Sequence, residues 1–278
     1  MTGGASPLRR LAPATATTAA LLALLLGLGR PRPAAAAHAL FQPDTARTLP
    51  VGRLEVGVFG PLRWGVTDRL ELALHPLLAL VAPQLDATFA WGAIGSVEVA
   101  SHHGLLYPTP LMRLLSREGT GGIVPHDVTY PHILATSHHL RLSRALGAQL
   151  LTLRAGGRLA RHLTRFDGPR FWSEVEWHVV RPRTAAWFTG FSVDAGLALE
   201  GPLWRGLGYR VELDGYLMPG LRGDKAAEAT LLATWQPRAT LQLRLGAMLS
   251  WCEFPYGSRL SVPLPLVDVS WSFDAPWH

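Results

Sequence analysis

Along Arg69–His75, "RLELALH", the residues Leu70, Leu72 and Leu74 alternate with Arg69, Glu71, Ala73 and His75. Successive side chains of a strand point to opposite faces, so this stretch has one apolar face and one mostly polar face. The same period of two recurs over Leu85–Trp91, Phe171–Val179, Trp187–Glu200, Leu207–Leu217, Ala227–Trp235, Thr240–Trp251 and Leu266–Phe273. Adding Gly52–Phe59, Ser96–Ala100, Leu134–Ser143 and Gln149–Leu159 predicts an all-β chain of about 12 strands, within a range of about 10 to 14. One short helix interrupts them, "TPLMRLLSREG" near 109–119, with Thr109 as cap, Pro110 in the first turn and Gly119 as stop.

Alternating strands build either a soluble sandwich, apolar faces inward, or a membrane barrel, apolar faces outward. Most of the predicted strands exceed the usual length of about 5 or 6 residues. They match instead the roughly 9 to 11 tilted residues that cross a bilayer. Tryptophans stand at or near strand ends, at Trp91, Trp177, Trp187, Trp235, Trp251 and Trp271, where an amphipathic ring rests at headgroup level. The fold expected is therefore a transmembrane antiparallel β-barrel.

The first residues change the picture of where it works. Arg9 and Arg10 precede an apolar run from Ala16 to Gly29, and small residues follow as far as Ala39. That order is a secretory signal at 1–39, cleaved near Ala39, with a single barrel domain over 40–278. The apolar run is shorter than the roughly 20 residues of a spanning helix. Removing the signal takes away four arginines and no acid, so 22 basic residues face 20 acidic ones. A nucleic-acid partner, which a strongly basic patch would suggest, loses its support. Cys252 is the only cysteine, which excludes an internal disulfide and a paired-cysteine zinc site.

The segments Ala46–Pro76 and Tyr107–Gly122 and the final aromatic strand "VDVSWSF" resemble a family of uncharacterised, porin-like outer-membrane β-barrels of Gram-negative bacteria. The resemblance implies residence in the cell outer membrane, with outer-membrane lipids, lipopolysaccharide and the barrel assembly machinery as partners. Phe273 fits the terminal aromatic residue that the machinery reads, although "DAPWH" follows it.

Three groups of residues are candidates for chemistry. "SREGTGG" suggests a phosphate loop, but a P-loop needs a lysine and a hydroxyl after its glycines, and the only lysine is Lys225. Arg113, Arg117, Glu118, Gly119, Gly121 and Gly122 are read instead as part of a loop that either plugs the lumen or lies outside it. "SHH" occurs twice, as Ser101-His102-His103 and Ser137-His138-His139. Adjacent strand residues face opposite ways, so each pair offers one lumenal imidazole. They are the candidates for a lipid-modifying hydrolase, though no local signature of one accompanies them.

The third group is the polar face: Arg154, Arg158, Glu174, Glu176, His178, Asp194, Arg210, Glu212, Asp214, Glu228, Arg244 and Asp268 are expected to line the lumen. Arginines and acids can pair there with a modest acidic excess. The functional expectation is a pore or transport protein for small solutes, with neither cofactor nor metal. The alternatives are the hydrolase and a structural barrel without transport. With the first strand rising from the periplasm, the predicted strand count puts the long Gly104–Pro131 connection on the periplasmic side, where turns are usually short.

Overall fold

The computed structural model describes residues 41–119, 124, 126, 129–165 and 177–276. Among them, the strands form one antiparallel sheet that closes on itself. In chain order they are β1 (Arg53–Gly57), β2 (Leu62–Thr67), β3 (Leu70–Leu74), β4 (Gln84–Ile94), β5 (Val97–Leu106), β6 (Ile133–Leu146), β7 (Gln149–His162), β8 (Phe191–Trp204), β9 (Leu207–Leu217), β10 (Lys225–Arg238), β11 (Leu241–Phe254), β12 (Gly257–Leu260) and β13 (Leu264–Asp274). Two short helices join them, α1 (Thr109–Leu115) and α2 (Arg181–Thr189).

β12 and β13 both pair with β11, through Leu260 on Trp251 and Leu264 on Met248. They are two pieces of one return strand, broken at 261–263 where Pro263 has no N–H to give a ladder. Ser261 bridges the break by donating its N–H to the Ser250 carbonyl at 2.8 Å. The result is a closed 12-strand antiparallel barrel with one extra strand. Closure is made by β1 on β13, from Arg53 opposite Asp274 to Gly57 opposite Ser270.

The period of two sets the two faces. Outward positions are apolar and exposed, as at Leu231 (60%) and Leu245 (63%), while inward neighbours such as Arg210, Glu228, Ser250 and Ser270 are buried. Among the described residues, six connections are two-residue turns: those at 68–69, 95–96, 147–148, 205–206 and 239–240 lie at one end, and only 255–256 lies at the other. At 205–206 both residues have positive φ, Arg205 at 43° and Gly206 at 81°, the twist that suits a two-residue hairpin. The start of β1 and the end of β13 share this end, and the longer connections occupy the other.

Here the structure corrects the sequence reading. β2, "LRWGVT", is a strand that the alternation search passed over, because it is short and places Gly65 on its inward face. Its presence adds one crossing and moves the 107–132 connection to the end away from the tight turns. Residues 171–176 of the strand expected at Phe171–Val179 lie outside the described residues, and 178–180 form a turn leading into α2. Trp187 is not at a strand end but buried within α2, and Trp177 stands in the connection before it. Around the barrel, Trp64, Trp91, Trp204, Trp235 and Trp271 gather toward the tight-turn end.

α1 is also shorter than expected, ending at Leu115 with Ser116 as C-cap. Pro108, not Thr109, precedes its first turn; the Thr109 hydroxyl instead donates to the Pro131 carbonyl and accepts from the Ile133 N–H.

Candidate functional site: a closed, charged lumen

The lumen is filled from both ends. At the tight-turn end, residues 41–50 run inside the barrel before β1 begins, with Phe41, Thr45, Ala46 and Leu49 buried. This segment has no side-chain ladder to offer, so inward side chains of the wall bind its backbone. Glu55 accepts from the Phe41 N–H at 2.9 Å, Ser143 from the Ala46 N–H at 2.8 Å and Glu71 from the Leu49 N–H at 2.9 Å. Arg210 donates to the Pro43 carbonyl and Arg244 to the Phe41 carbonyl, both at 2.8 Å. Two ion pairs complete the hold, Arg141 with Asp44 at 2.9 Å and Arg47 with Glu98 at 2.6 Å. The depth of Asp44 in the barrel pushes its carboxyl up, but Arg141, Arg154 and Arg210 outweigh this and hold it well below the usual carboxylate range.

Gly65 makes the seating of this segment feasible. A Cβ at that position would run into the Pro50 carbonyl oxygen, so the wall has to be bare there. Below the segment, Arg63 lies buried between Glu71 at 2.8 Å and Glu55 at 3.1 Å. The same carboxylates therefore neutralise a buried guanidinium and anchor the segment.

At the opposite end the two helices enter the mouth. Ala185 of α2 packs on Tyr216, Met218, Ala226, Cys252 and Phe254, which are buried at the long-loop ends of β9, β10 and β11. Trp187 and Phe188 pack with Met112 of α1 and with Tyr130, Ile133 and Ala135. A helix covered on nearly all sides needs no amphipathic stripe, and α2 has none. Arg183 of α2 reaches Glu228 with two bonds of 2.6 Å, and Tyr216 donates to the same carboxylate at 2.9 Å.

Between the two closures lies a cavity of about 290 Å³ lined almost wholly by polar groups. Arg154 holds Asp214 with bonds of 2.7 and 2.6 Å, and Arg158 holds Asp194 at 2.8 Å. Arg210 pairs with Glu200 at 3.1 Å and also meets Glu212. Asp268 sits at the rim, accepting from the Phe59 N–H at 3.0 Å and from Ser270. Of the lumen residues expected from sequence, Arg154, Arg158, Asp194, Arg210, Glu212, Asp214, Glu228, Arg244 and Asp268 face inward. Glu174 and Glu176 lie outside the described residues. His178 is not on a strand but in the turn before α2, edge-on to Phe254 with centroids 5.2 Å apart. Burial there, with Arg259 nearby, lowers its pKa.

The histidines divide between the two faces. His139 faces inward, 2.9 Å from Asp194, and His102 faces inward, 3.6 Å from Asp86. His103 and His138 face outward and share a hydrogen bond of 2.9 Å between their Nδ1 atoms. Ser101 also faces outward and accepts from the Trp91 indole at 3.0 Å. Ser137 faces inward beside Asp86, both crowding Gly104 so that a Cβ there would collide with them. A serine nucleophile needs a base that in turn is oriented by a third group. Ser137 lines the same cavity as His102 and His139, whose own acidic neighbours are Asp86 and Asp194. In the expected plug loop, Arg113 donates to the Tyr130 carbonyl at 3.0 Å, Arg117 and Glu118 are exposed, and Gly119 takes φ of +84°. Gly121 and Gly122 lie outside the described residues. No group of three metal-ligating side chains occurs among the described residues.

The sequence reading missed residues 41–50, which carry no alternation, and the pair Arg63 and Arg183. A signal for Arg63 existed: it stands 8 residues from each of Glu55 and Glu71, the two carboxylates it meets.

No family model matches the chain, and no curated protein matches it. Among solved structures it is similar to a bacterial polysaccharide outer membrane secretin, at 9% identity over 80% of this chain and 69% of that one, with a TM-score of 0.41. OprD of Pseudomonas aeruginosa gives 12% identity over 80% and 60%, with a TM-score of 0.38. The outer membrane channel DcaP of Acinetobacter baumannii gives 8% over 84% and 66%, also with 0.38. The chain thus spans only 60% to 69% of the length of these proteins.

Proposed function

We propose that this protein is an outer-membrane transport barrel of a Gram-negative bacterium, in a closed state, whose conduit is a polar lumen for small solutes. The observation that carries the reading is the segment 41–50, lodged in a charged lumen by bonds from the wall to its backbone. Each such bond can be exchanged for one to water at a net cost of about 0.5 to 3 kcal/mol, the upper end where a charged group takes part. The outward apolar face supports the membrane part of the reading, as do the tryptophans near the tight turns and the sorting of short and long connections to opposite ends. By that sorting the tight turns face the periplasm. The partners on this reading are outer-membrane lipids, lipopolysaccharide at the long-loop end and the assembly machinery at the strand ending in Phe273.

Planar-bilayer recording tests it. The intact protein should be nearly silent, and deletion of residues 41–50 should raise single-channel conductance several-fold. A folded deletion variant as silent as the parent would reject the gating role of the segment.

A further inference from the structure

The connection between β3 and β4 opens with His75 and then reads Pro76-Leu-Leu-Ala-Leu-Val-Ala-Pro83, without another polar side chain. Ala82 is buried, but the larger side chains stand out: Leu77 is 62% exposed and Leu80 88%. The neighbouring β1–β2 connection, Val58-Phe59-Gly60-Pro61, is apolar as well, and Phe59 is 62% exposed. Loops that end in water carry polar residues, and a contiguous exposed apolar surface marks contact with something apolar.

Strand length says what that is. β1, β2 and β3 have 5, 6 and 5 residues, against 14 in β6, β7, β8, β10 and β11. At about 3.3 Å per residue the short strands extend roughly 17 to 20 Å along their own axes. Tilted by about 40°, they climb about 13 to 15 Å, near half of the apolar band of about 25 Å. The long strands cross the whole band. All three short strands start at the tight-turn end, so the two apolar connections begin at mid-membrane depth and the wall above them is notched.

The backbone around the notch is prepared for hydrocarbon, where unpaired peptide groups are not tolerated. In the β3–β4 connection Ala79 donates to the His75 carbonyl at 2.9 Å, and Val81 and Ala82 donate to that of Leu78 at 3.0 and 2.6 Å. The His75 ring donates to the Phe59 carbonyl at 2.8 Å, tying the two connections together. On the β13 side, Val269 accepts from Val58 and Ala275 donates to Gly52, whereas Ser272 donates to Thr240 at the foot of β11. Odd-numbered peptide groups of β13 therefore point toward β1 and, above it, into the notch. Of residues 267 and 265, both in that phase and above the end of β1, the second is a proline, which has no N–H to leave unpaired.

We infer that the connections 58–61 and 76–83 are immersed in the bilayer, and that the acyl chains of the lipid leaflet fill the notch between β13 and β4. The inference rests on the membrane-spanning reading and is independent of gating by residues 41–50.

Full-length protein on a Cys252→Ser background would carry a single environment-sensitive fluorophore through Leu80→Cys, with Leu77→Cys as a second site. Leu231→Cys on the outward face of β10 and Tyr256→Cys in the β11–β12 turn give references for lipid and water. In phosphatidylcholine vesicles, mid-chain nitroxide lipid should quench the label at 80 within about two-fold of the label at 231, and aqueous iodide should leave it untouched. The label at 256 should respond the opposite way. Labels at 80 and 77 that follow the one at 256, while 231 is quenched by lipid, would overturn the inference alone. A label at 231 that answers only to iodide would overturn the membrane reading and this inference with it.

Discussion

The barrel has two unlike walls. Along β6–β11 the strands run 11 to 14 residues and each is zipped to its neighbours nearly end to end. The inner face there holds residues 41–50 through Arg141, Ser143, Arg210 and Arg244, and beyond them it lines a polar cavity whose charges pair across strands. Along β1–β3 the strands are half as long, and the inner face is pressed dry against residues 41–50. There Arg63, Glu55 and Glu71 are each about 95% buried. The long wall is stabilised by its ladder, and the short one by a buried ionic cluster and the segment lying on it. Ion pairs of similar length thus do unequal work. A pair beside water is replaceable, while removing one member of a dry cluster leaves the others uncompensated.

The sharpest way to break the comparison is Arg63→Ala set against Arg154→Ala. Loss of Arg63 strands two buried carboxylates and should cost about 3 to 5 kcal/mol. Loss of Arg154 beside the cavity should cost about 1.5 to 3 kcal/mol, the range for hydrogen bonds to charged groups. Urea titration of the heat-modifiable folded band in detergent compares the two, and equal costs would dissolve the distinction between the walls.

Next in size is Gly65→Val. The side chain must enter space held by the Pro50 carbonyl, and overpacking of this kind costs about 1 to 3 kcal/mol. The expected readout is faster protease nicking within 41–50, with the long wall still protected; unchanged nicking would mean that the segment does not depend on the bare spot.

The smallest effect belongs to Arg53→Gln at the closing seam. Its ion pair with Asp274 is 2.8 Å long, but Asp274 is 85% exposed, and such pairs contribute about 0 to 1 kcal/mol. A thermal shift of more than a few degrees would show that the seam relies on this pair more than its exposure allows.

What was legible in the sequence follows the same division. A strand with water or cavity on one side and lipid on the other prints its period of two directly, which is why Leu207–Leu217 and Thr240–Trp251 stand out. β2 sits between a dry cluster and lipid, and Gly65 replaces a side chain with backbone contact, so its alternation is faint. α2 was read as the start of a strand because Trp187 and Phe188 look like a strand end; they are buried because the mouth surrounds them. The inward charges were assigned by parity alone, but their partners depend on register around the barrel. Residues 41–50 bind mostly through peptide groups, which are alike in every sequence, with only Asp44 and Arg47 adding ion pairs.

Closure carries a consequence for how the protein is made. Among the described strands, every pairing but one joins elements that are adjacent or nearly so along the chain, and can zip from its own turn. The exception is β1 on β13, five residue pairs joining positions 53–57 to 270–274. Bringing ends that far apart together carries a chain-entropy cost that grows only as the logarithm of the separation, but falls on a single step. That step yields only five residue pairs. Assembly should therefore wait at an open, eleven-contact curl until the seam and the cluster around Arg63 form together, and unfolding should reopen at the same place.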